Sequence, residues 1–167
     1  FTSTETKADL DWFKDTLKEK YDLRETARLG SAPEDGKQGY ILNRVVRWTD
    51  AGLEYEADPR QAEKLVQDLK REGAKRVGTL GTRLTAEQLL HDQRLNEDKE
   101  TPFRAVAARA NYLAADRPEC QYSAKEICRW MSAPTECSLA ALKRLGRFVE
   151  EHRRLVYMYP WQRVTRV

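Results

Sequence analysis

Leu10, Phe13, Leu17 and Tyr21 fall at i, i+3, i+7 and i+11, which places four apolar side chains on one side of an α-helix. Thr6, with Asp9 three residues later, supplies a capping-box start for it. Trp12 lies on the opposite face with Ala8. Residues 30–39, rich in Gly, Pro, Glu and Asp, read as a loop. Tyr40 to Trp48 is apolar and β-branched enough for a strand. Thr49 to Gly52 is a turn, and Leu53 to Glu56 returns, so a β-hairpin is predicted. Asp58 then caps a helix with Pro59 at its first position and Gln61 as box partner. Ala62, Leu65, Val66 and Leu69 form its inward stripe, and Gly73 is its expected end. Lys75 to Gly81 reads as a short extended segment, Thr85 to Leu90 as one or two helical turns, and His91 to Glu100 as a polar, mobile connection.

Three helices follow. Thr101 and Pro102 open the first, with Phe103, Val106, Ala110 and Leu113 inward. Asp116 and Pro118 open the second, with Cys120, Ala124, Ile127, Cys128 and Met131 inward. The third spans about Thr135 to His152 with Leu139, Leu142, Leu145 and Val149 inward. Leu155 to Tyr159 reads as a terminal strand, and residues 162–167 carry no usable pattern. The predicted class is α+β, in three units: 1–58, 59–152 and 153–167. No apolar run approaches the roughly 18 residues of a membrane helix, so no membrane partner is expected.

Charge changes this picture more than composition does. The net charge is +3, but residues 1–58 carry −4, residues 59–101 carry +1 and residues 102–167 carry +6. A basic C-terminal half suits a polyanion. Lys143, Arg144 and Arg147 sit at i, i+1 and i+4, away from Leu142 and Leu145. Arg104, Arg109, Lys125 and Arg129 also leave the apolar stripes of their helices. Ordinary solvated charge is the alternative for each. Ala105, Ala108 and Tyr112 form a neighbouring row on the first of these helices, open either to a flat partner or to mere helix propensity.

Other chemistry is poorly served. Cys120, Cys128 and Cys137 are spaced 8 and 9 apart with no Cys-x-x-Cys pair, which suits core thiols in a reducing, intracellular setting, cytoplasmic or nuclear. Asp9 and Asp11 do not face each other on a helix, and Asp92, Glu97 and Asp98 lie in the polar connection. His91 and His152 have no Ser or Cys partner nearby in sequence. Gly78-x-x-Gly81 lacks the Gly-Lys-Ser/Thr ending of a phosphate loop.

A further signal is the order of elements from Phe103 to Phe148: Phe103-Arg104, Tyr112-Leu113, Arg117-Pro118, Trp130-Met131, Pro134 and Arg147-Phe148. This order resembles the end of a copia-type retrotransposon reverse transcriptase, an RNA-directed DNA polymerase. There a Tyr/Phe-Arg pair opens a helix closed by Tyr-Leu, and an Arg-Pro-Asp follows. A helix ending Phe/Trp-Met, a Pro, and a helix ending Arg-Tyr-Leu complete the series. A weaker resemblance joins Ile41-Leu42-Asn43-Arg44-Val45, the turn ending in Gly52, and Leu65-Val66 to the family's Phe-Leu-Gly-Ile-Glu strand, turn and Leu-Leu helix.

The resemblance implies a palm remnant with a primer-grip-like hairpin in 1–58 and a thumb-like helical region in 59–152. It implies a tail in 153–167 leading towards a ribonuclease H. The family's catalytic Asp-Asp pair lies just before the segment that Phe1 resembles. The fragment alone is therefore expected to be inactive and to need no cofactor, with magnesium or manganese belonging to the intact parent. The implied partners are a template–primer duplex and the remainder of the polymerase. The residues implied to contact nucleic acid are Asn43, Arg44, Arg104, Ala105, Ala108, Arg109, Lys125, Arg129, Lys143, Arg144 and Arg147. The chain departs from the pattern at Asn43, where the family has Gly, at Arg44, where it has an aliphatic residue, and at Ala108, where it usually has Gly. A stand-alone helical nucleic-acid-binding or interaction module, or a non-functional product of a decayed element, are the other readings.

Overall fold

The computed structural model describes residues 6–81 and 85–162. Among the described residues, six helices and one four-stranded antiparallel sheet form an α+β fold. The elements are α1 Lys7–Lys18, β1 Gln38–Ile41, β2 Arg44–Trp48, β3 Gly52–Glu56, α2 Pro59–Asp68, α3 Ala86–Leu90, α4 Glu97–Ala114, α5 Pro118–Cys128, α6 Glu136–Glu151 and β4 Val156–Pro160. The tail at 163–167 and the segment at 1–5 lie outside the described residues.

The expected hairpin is a meander. The run from Tyr40 to Trp48 breaks at Leu42 and Asn43, which take φ of 50° and 67°. Positive φ at both central residues is what a two-residue hairpin turn of right-handed twist demands. Ile41 therefore pairs with Arg44, and a third strand appears where one long strand was expected. Asn tolerates this conformation, as Gly does, whereas Leu42 adopts it against its preference.

β4 then pairs antiparallel with β3 across Leu53 and Tyr159, so the sheet joins residues 38–56 to residues 156–160 about a hundred positions later. Gly52 is required there: a Cβ at that position would lie 2.2 Å from the Tyr159 carbonyl oxygen. Trp161 stacks on Trp48 with centroids 4.4 Å apart and donates its indole N–H to the Thr49 carbonyl. β4 is an edge strand. Ala57 N–H donates to Leu155 O and Trp161 N–H to Ala51 O, so the ladder turns the main-chain groups of Val156, Met158 and Pro160 outward. Pro160 has no N–H to offer, which blunts the edge against further pairing.

The apolar core belongs to α2, α4, α5 and α6. Leu65, Val66, Cys120, Leu142, Leu145 and Val149 are wholly buried within it, and Phe103 nearly so. Each such aliphatic or aromatic side chain contributes roughly 1.5–3 kcal/mol by leaving water. α4 packs on α2 and α5, and α6 packs on the same two helices. Gly146 permits the α2–α6 approach, since a Cβ there would lie 2.6 Å from Leu69 Cδ1.

Helix ends differ from expectation for physical reasons. α2 starts as read, with Asp58 accepting from Arg60 N–H, but Gln61 bonds Arg109 instead of closing a capping box. It stops before Gly73, because Lys70 takes φ of 52° and Arg71 N–H bonds Val66 O, a Schellman ending with lysine in the left-handed position. α4 begins at Glu97 rather than Thr101 and carries Pro102 inside it. The polar connection before it is held, not mobile: Leu95 is 4% exposed and its N–H donates to Pro134 O at 2.8 Å. α6 starts near Thr135 as read, and Thr135 proves to be its cap, through a reciprocal box with Ser138. α3 is capped by Thr85 and Gln88 in the same way.

α1 is capped by Thr6 as read, but none of its residues is buried. It is tied to the following loop by Arg28–Asp11 at 2.9 Å and Lys7–Glu34 at 2.6 Å. Trp12 is 69% exposed, so the residue singled out by its isolation has no cover among the described residues.

Candidate nucleic-acid interface

α4 presents the most regular of the expected surfaces. Phe103, Val106, Ala107, Ala110 and Leu113 turn inward, which leaves Ala105, Ala108 and Tyr112 exposed on the other side. Arg104 and Arg109 flank this row in opposite directions. Arg104 donates from Nε to Met131 O at 2.7 Å and from Nη2 to Glu100 at 2.6 Å. Arg109 reaches α2, bonding Asp68 at 3.1 Å and Gln61 at 3.2 Å. Both guanidinium groups are thus engaged within the fold, while their side chains keep 39% and 30% exposure. Arg94 also bonds Glu100, and this bond, with that from Arg104, holds the Glu100 carboxyl below the usual carboxylate range against its burial.

The other helices carry the rest of the positive charge. Lys125 on α5 is exposed and has no ion pair among the described residues. Arg129 pairs with Glu126 at 2.9 Å. On α6, Arg144 donates to the Thr79 carbonyl at 2.9 Å and to its hydroxyl at 2.6 Å. Lys143 and Arg147 are half-buried and have no hydrogen bond or ion pair among the described residues. α4 and α6 do not pack along one another but occupy opposite corners of the four-helix core. The expected basic residues of α4 and those of α6 therefore form two separate sets rather than a single face, with Lys125 and Arg129 on α5.

Asn43 and Arg44 sit at the β1–β2 turn, apart from both sets. Asn43 is exposed at the tip. Arg44 is not presented to solvent: its Nε lies 2.8 Å from both oxygens of Asp116, in the α4–α5 turn, and Tyr55 donates its hydroxyl to the same carboxylate at 2.9 Å. The side chains of Arg44 and Asp116 are 15% and 11% exposed. The hydrogen bond to Asp116 holds the Arg44 guanidinium firmly protonated, and burial with the same neighbour pushes the Tyr55 phenol up to about 12. Sequence reading missed Asp116 as the hub of this network; its partners are 72 and 61 positions away, and no local pattern could join them.

The residues that carry the family resemblance have structural work to do. Phe103 and Pro134 are buried, and Arg117 is 1% exposed. Arg117 pairs with Glu119 and donates to the His152 carbonyl at 2.8 Å, fastening the start of α5 to the end of α6. Arg104 fastens the middle of α4 to the segment after α5 through Met131 O. A shallow cleft of about 410 Å³ lies beside these contacts, lined by Pro118, Phe148, His152, Arg154, Leu155 and Tyr157 among others.

Among the described residues no three His, Cys, Asp or Glu side chains are grouped so as to hold a metal ion. Cys120 is fully buried, and burial pushes its thiol up to about 12. Cys128 points to the Ala107 carbonyl. No helix is long and apolar enough to cross a membrane among the described residues. No family model, no curated protein and no solved structure matches this chain.

Proposed function

We propose that this chain is the grip-and-thumb portion of a copia-type retrotransposon reverse transcriptase. It binds and positions a template–primer duplex for RNA-directed DNA synthesis, with the catalytic aspartates supplied from outside these 167 residues. The observation that carries this reading is the placement of the family-like series. Its elements fall in order on α4, α5 and α6 and the turns between them, and its two arginines, Arg104 within α4 and Arg117 at the start of α5, each bond a carbonyl at or just past the end of the following helix. Such a series is what a conserved scaffold of helices needs, whatever lies on its surface.

The surface supports a duplex through α4. Ala105 and Ala108 leave the helix backbone approachable, and Arg104 and Arg109 keep part of their side chains in solvent on either side. Phosphate contacts give sequence-independent affinity, as a sliding polymerase requires. Lys143 and Arg147 on α6 are a second place for phosphate. Arg44 serves this function indirectly, by fixing the turn that carries Asn43.

The substitution Ala108→Leu tests the α4 surface. Ala108 is exposed, so the change should alter stability by no more than about 0.5 kcal/mol. Duplex affinity should fall several-fold in fluorescence anisotropy titrations while the melting temperature stays in place. Unchanged affinity with unchanged stability removes α4 as the duplex-facing surface.

A further inference from the structure

The apolar cluster of the helices does not extend into the sheet, whose one buried apolar side chain among the described strand residues, Val46, lies outside it. Every residue of the buried hydrophobic cluster lies on α2 or at its C-cap, on α4, α5 or α6, or in the segment before α4. Among the described residues, no strand packs along a helix as the helices pack on one another. The chain passes between the two parts twice, at Glu56–Asp58 and at His152–Leu155. These two crossings lie side by side, joined by the Ala57 N–H to Leu155 O hydrogen bond of 3.3 Å. Two adjacent crossings form a hinge line rather than a broad seam. The 410 Å³ cleft opens next to it, with Tyr157 and Leu155 on one wall and Pro118 and Phe148 on the other.

Away from that line, the side-chain hydrogen bonds that cross from the strands to the helices among the described residues converge on one group, Asp116. Arg44 of β2 and Tyr55 of β3 both donate to it, on a sheet face that also carries Val46 and Tyr157. We infer that Arg44, Tyr55 and Asp116 form a latch that fixes the sheet against the helices, and that without it the sheet swings on the 57/155 hinge. An apolar seam would join the parts permanently, because it has no single contact whose loss frees it. A half-buried, charge-assisted cluster of three side chains is specific in geometry and lost as a unit when its acceptor goes. Arg44 is then a positioning residue: it sets where the exposed Leu42–Asn43 turn stands relative to α4.

Pulsed electron–electron distance measurements test this on the full chain, with Cys128→Ser and Cys137→Ser and with buried Cys120 left in place. Spin labels go on the exposed positions of Tyr40→Cys in β1 and Tyr122→Cys in α5, which are 63% and 72% exposed. A control pair, Tyr40→Cys with Met158→Cys, lies within the sheet. The latched chain should give one narrow Tyr40–Tyr122 distance. Asp116→Ala should raise the population of other distances at least about tenfold, within the range such minor states occupy. Asp116→Asn, which keeps an acceptor but loses the charge, should fall between and decides the question if the alanine variant does not fold. The control pair should stay narrow in all three. An unchanged Tyr40–Tyr122 distance in both variants overturns the latch. So does broadening of the control pair, which would make Asp116 a support of the sheet itself.

Discussion

Arg117 offers a severe test of the packing account, because a charge with 1% exposure should be expensive to disturb. Its Nη1 donates to the His152 carbonyl at 2.8 Å, and its Nε meets Glu119, whose side chain is 32% exposed. Removing one member of a buried ion pair typically costs about 3–5 kcal/mol, because the other is left without its counter-charge. Here Glu119 can turn to water, so Arg117→Ala should sit near the lower end. A charge-assisted hydrogen bond to the carbonyl accounts for about 1.5–3 kcal/mol of that, and the emptied volume for the rest. Arg117→Met refills the space of the stem and should cost less, about 1–3 kcal/mol for the unmet His152 carbonyl. Glu119→Ala should cost at least as much as Arg117→Met, since it strands a cation that cannot reach water. Urea unfolding followed by far-ultraviolet circular dichroism measures all three. With a slope of about 2 kcal/mol/M, Arg117→Ala should lower the midpoint by about 1.5 M. A loss under about 0.5 kcal/mol, the range of ordinary surface changes, would refute the claim that Arg117 fastens α5 to α6.

Two other outcomes follow from geometry and titration. Gly52→Ala should detach β4, because the new Cβ would meet the Tyr159 carbonyl oxygen and Pro160 Cα rather than a movable side-chain end; the Trp48–Trp161 stacking signal in near-ultraviolet dichroism should vanish, and its persistence would contradict the register. Stability should fall on both sides of neutrality. The arginine partners of Glu56, Asp58 and Glu100 hold these carboxyls below their ordinary values of 4.5, 3.8 and 4.5, so the unfolded chain takes up protons first and stability is lost as pH drops below about 4.5. Tyr55 is raised from 10.0 to about 12, so its contribution is present below pH 10 and is lost as pH rises towards 12. A melting temperature that is flat from pH 5 to 3, or from pH 9.5 to 11.5, would contradict these assignments.

Local signals in the sequence located the helices, though not the first turn of α4, which begins at Glu97 where a polar connection was read, nor the exposure of α1. Thr6, Asp58, Thr85 and Thr135 each stand where a helix starts, and the inward stripes of α2, α4, α5 and α6 supply the observed core, with Cys128, Met131 and Leu139 partly buried against it. Signals that depend on distant partners were not legible. The strand read from Tyr40 to Trp48 contains a two-residue turn at Leu42 and Asn43, and a leucine gives no warning of positive φ. Leu95 looked like one apolar residue in a polar connection until Pro134, 39 positions later, met its N–H. The basic residues were legible as surface but not as paired. Arg44, Arg104, Arg109 and Arg129 each find a carboxylate, and those joining different elements are fixed by tertiary packing. Nor could helix periodicity reveal that α4 and α6 take opposite corners and so split the expected basic surface in two.

The central claim is that this chain binds nucleic-acid duplex through phosphate contacts, and the salt dependence of binding tests it most directly. Affinity for a labelled primer–template duplex is measured by anisotropy from about 50 to 200 mM salt, for the parent and for the Lys143, Arg144, Arg147 triple alanine variant. A logarithmic plot should be linear with a negative slope near 0.9 per phosphate contact, indifferent to sequence, and the triple variant should lose up to about three contacts' worth of that slope. Absence of binding at about 50 mM salt would contradict the claim outright, and an unchanged slope in the triple variant would remove α6 from the interface.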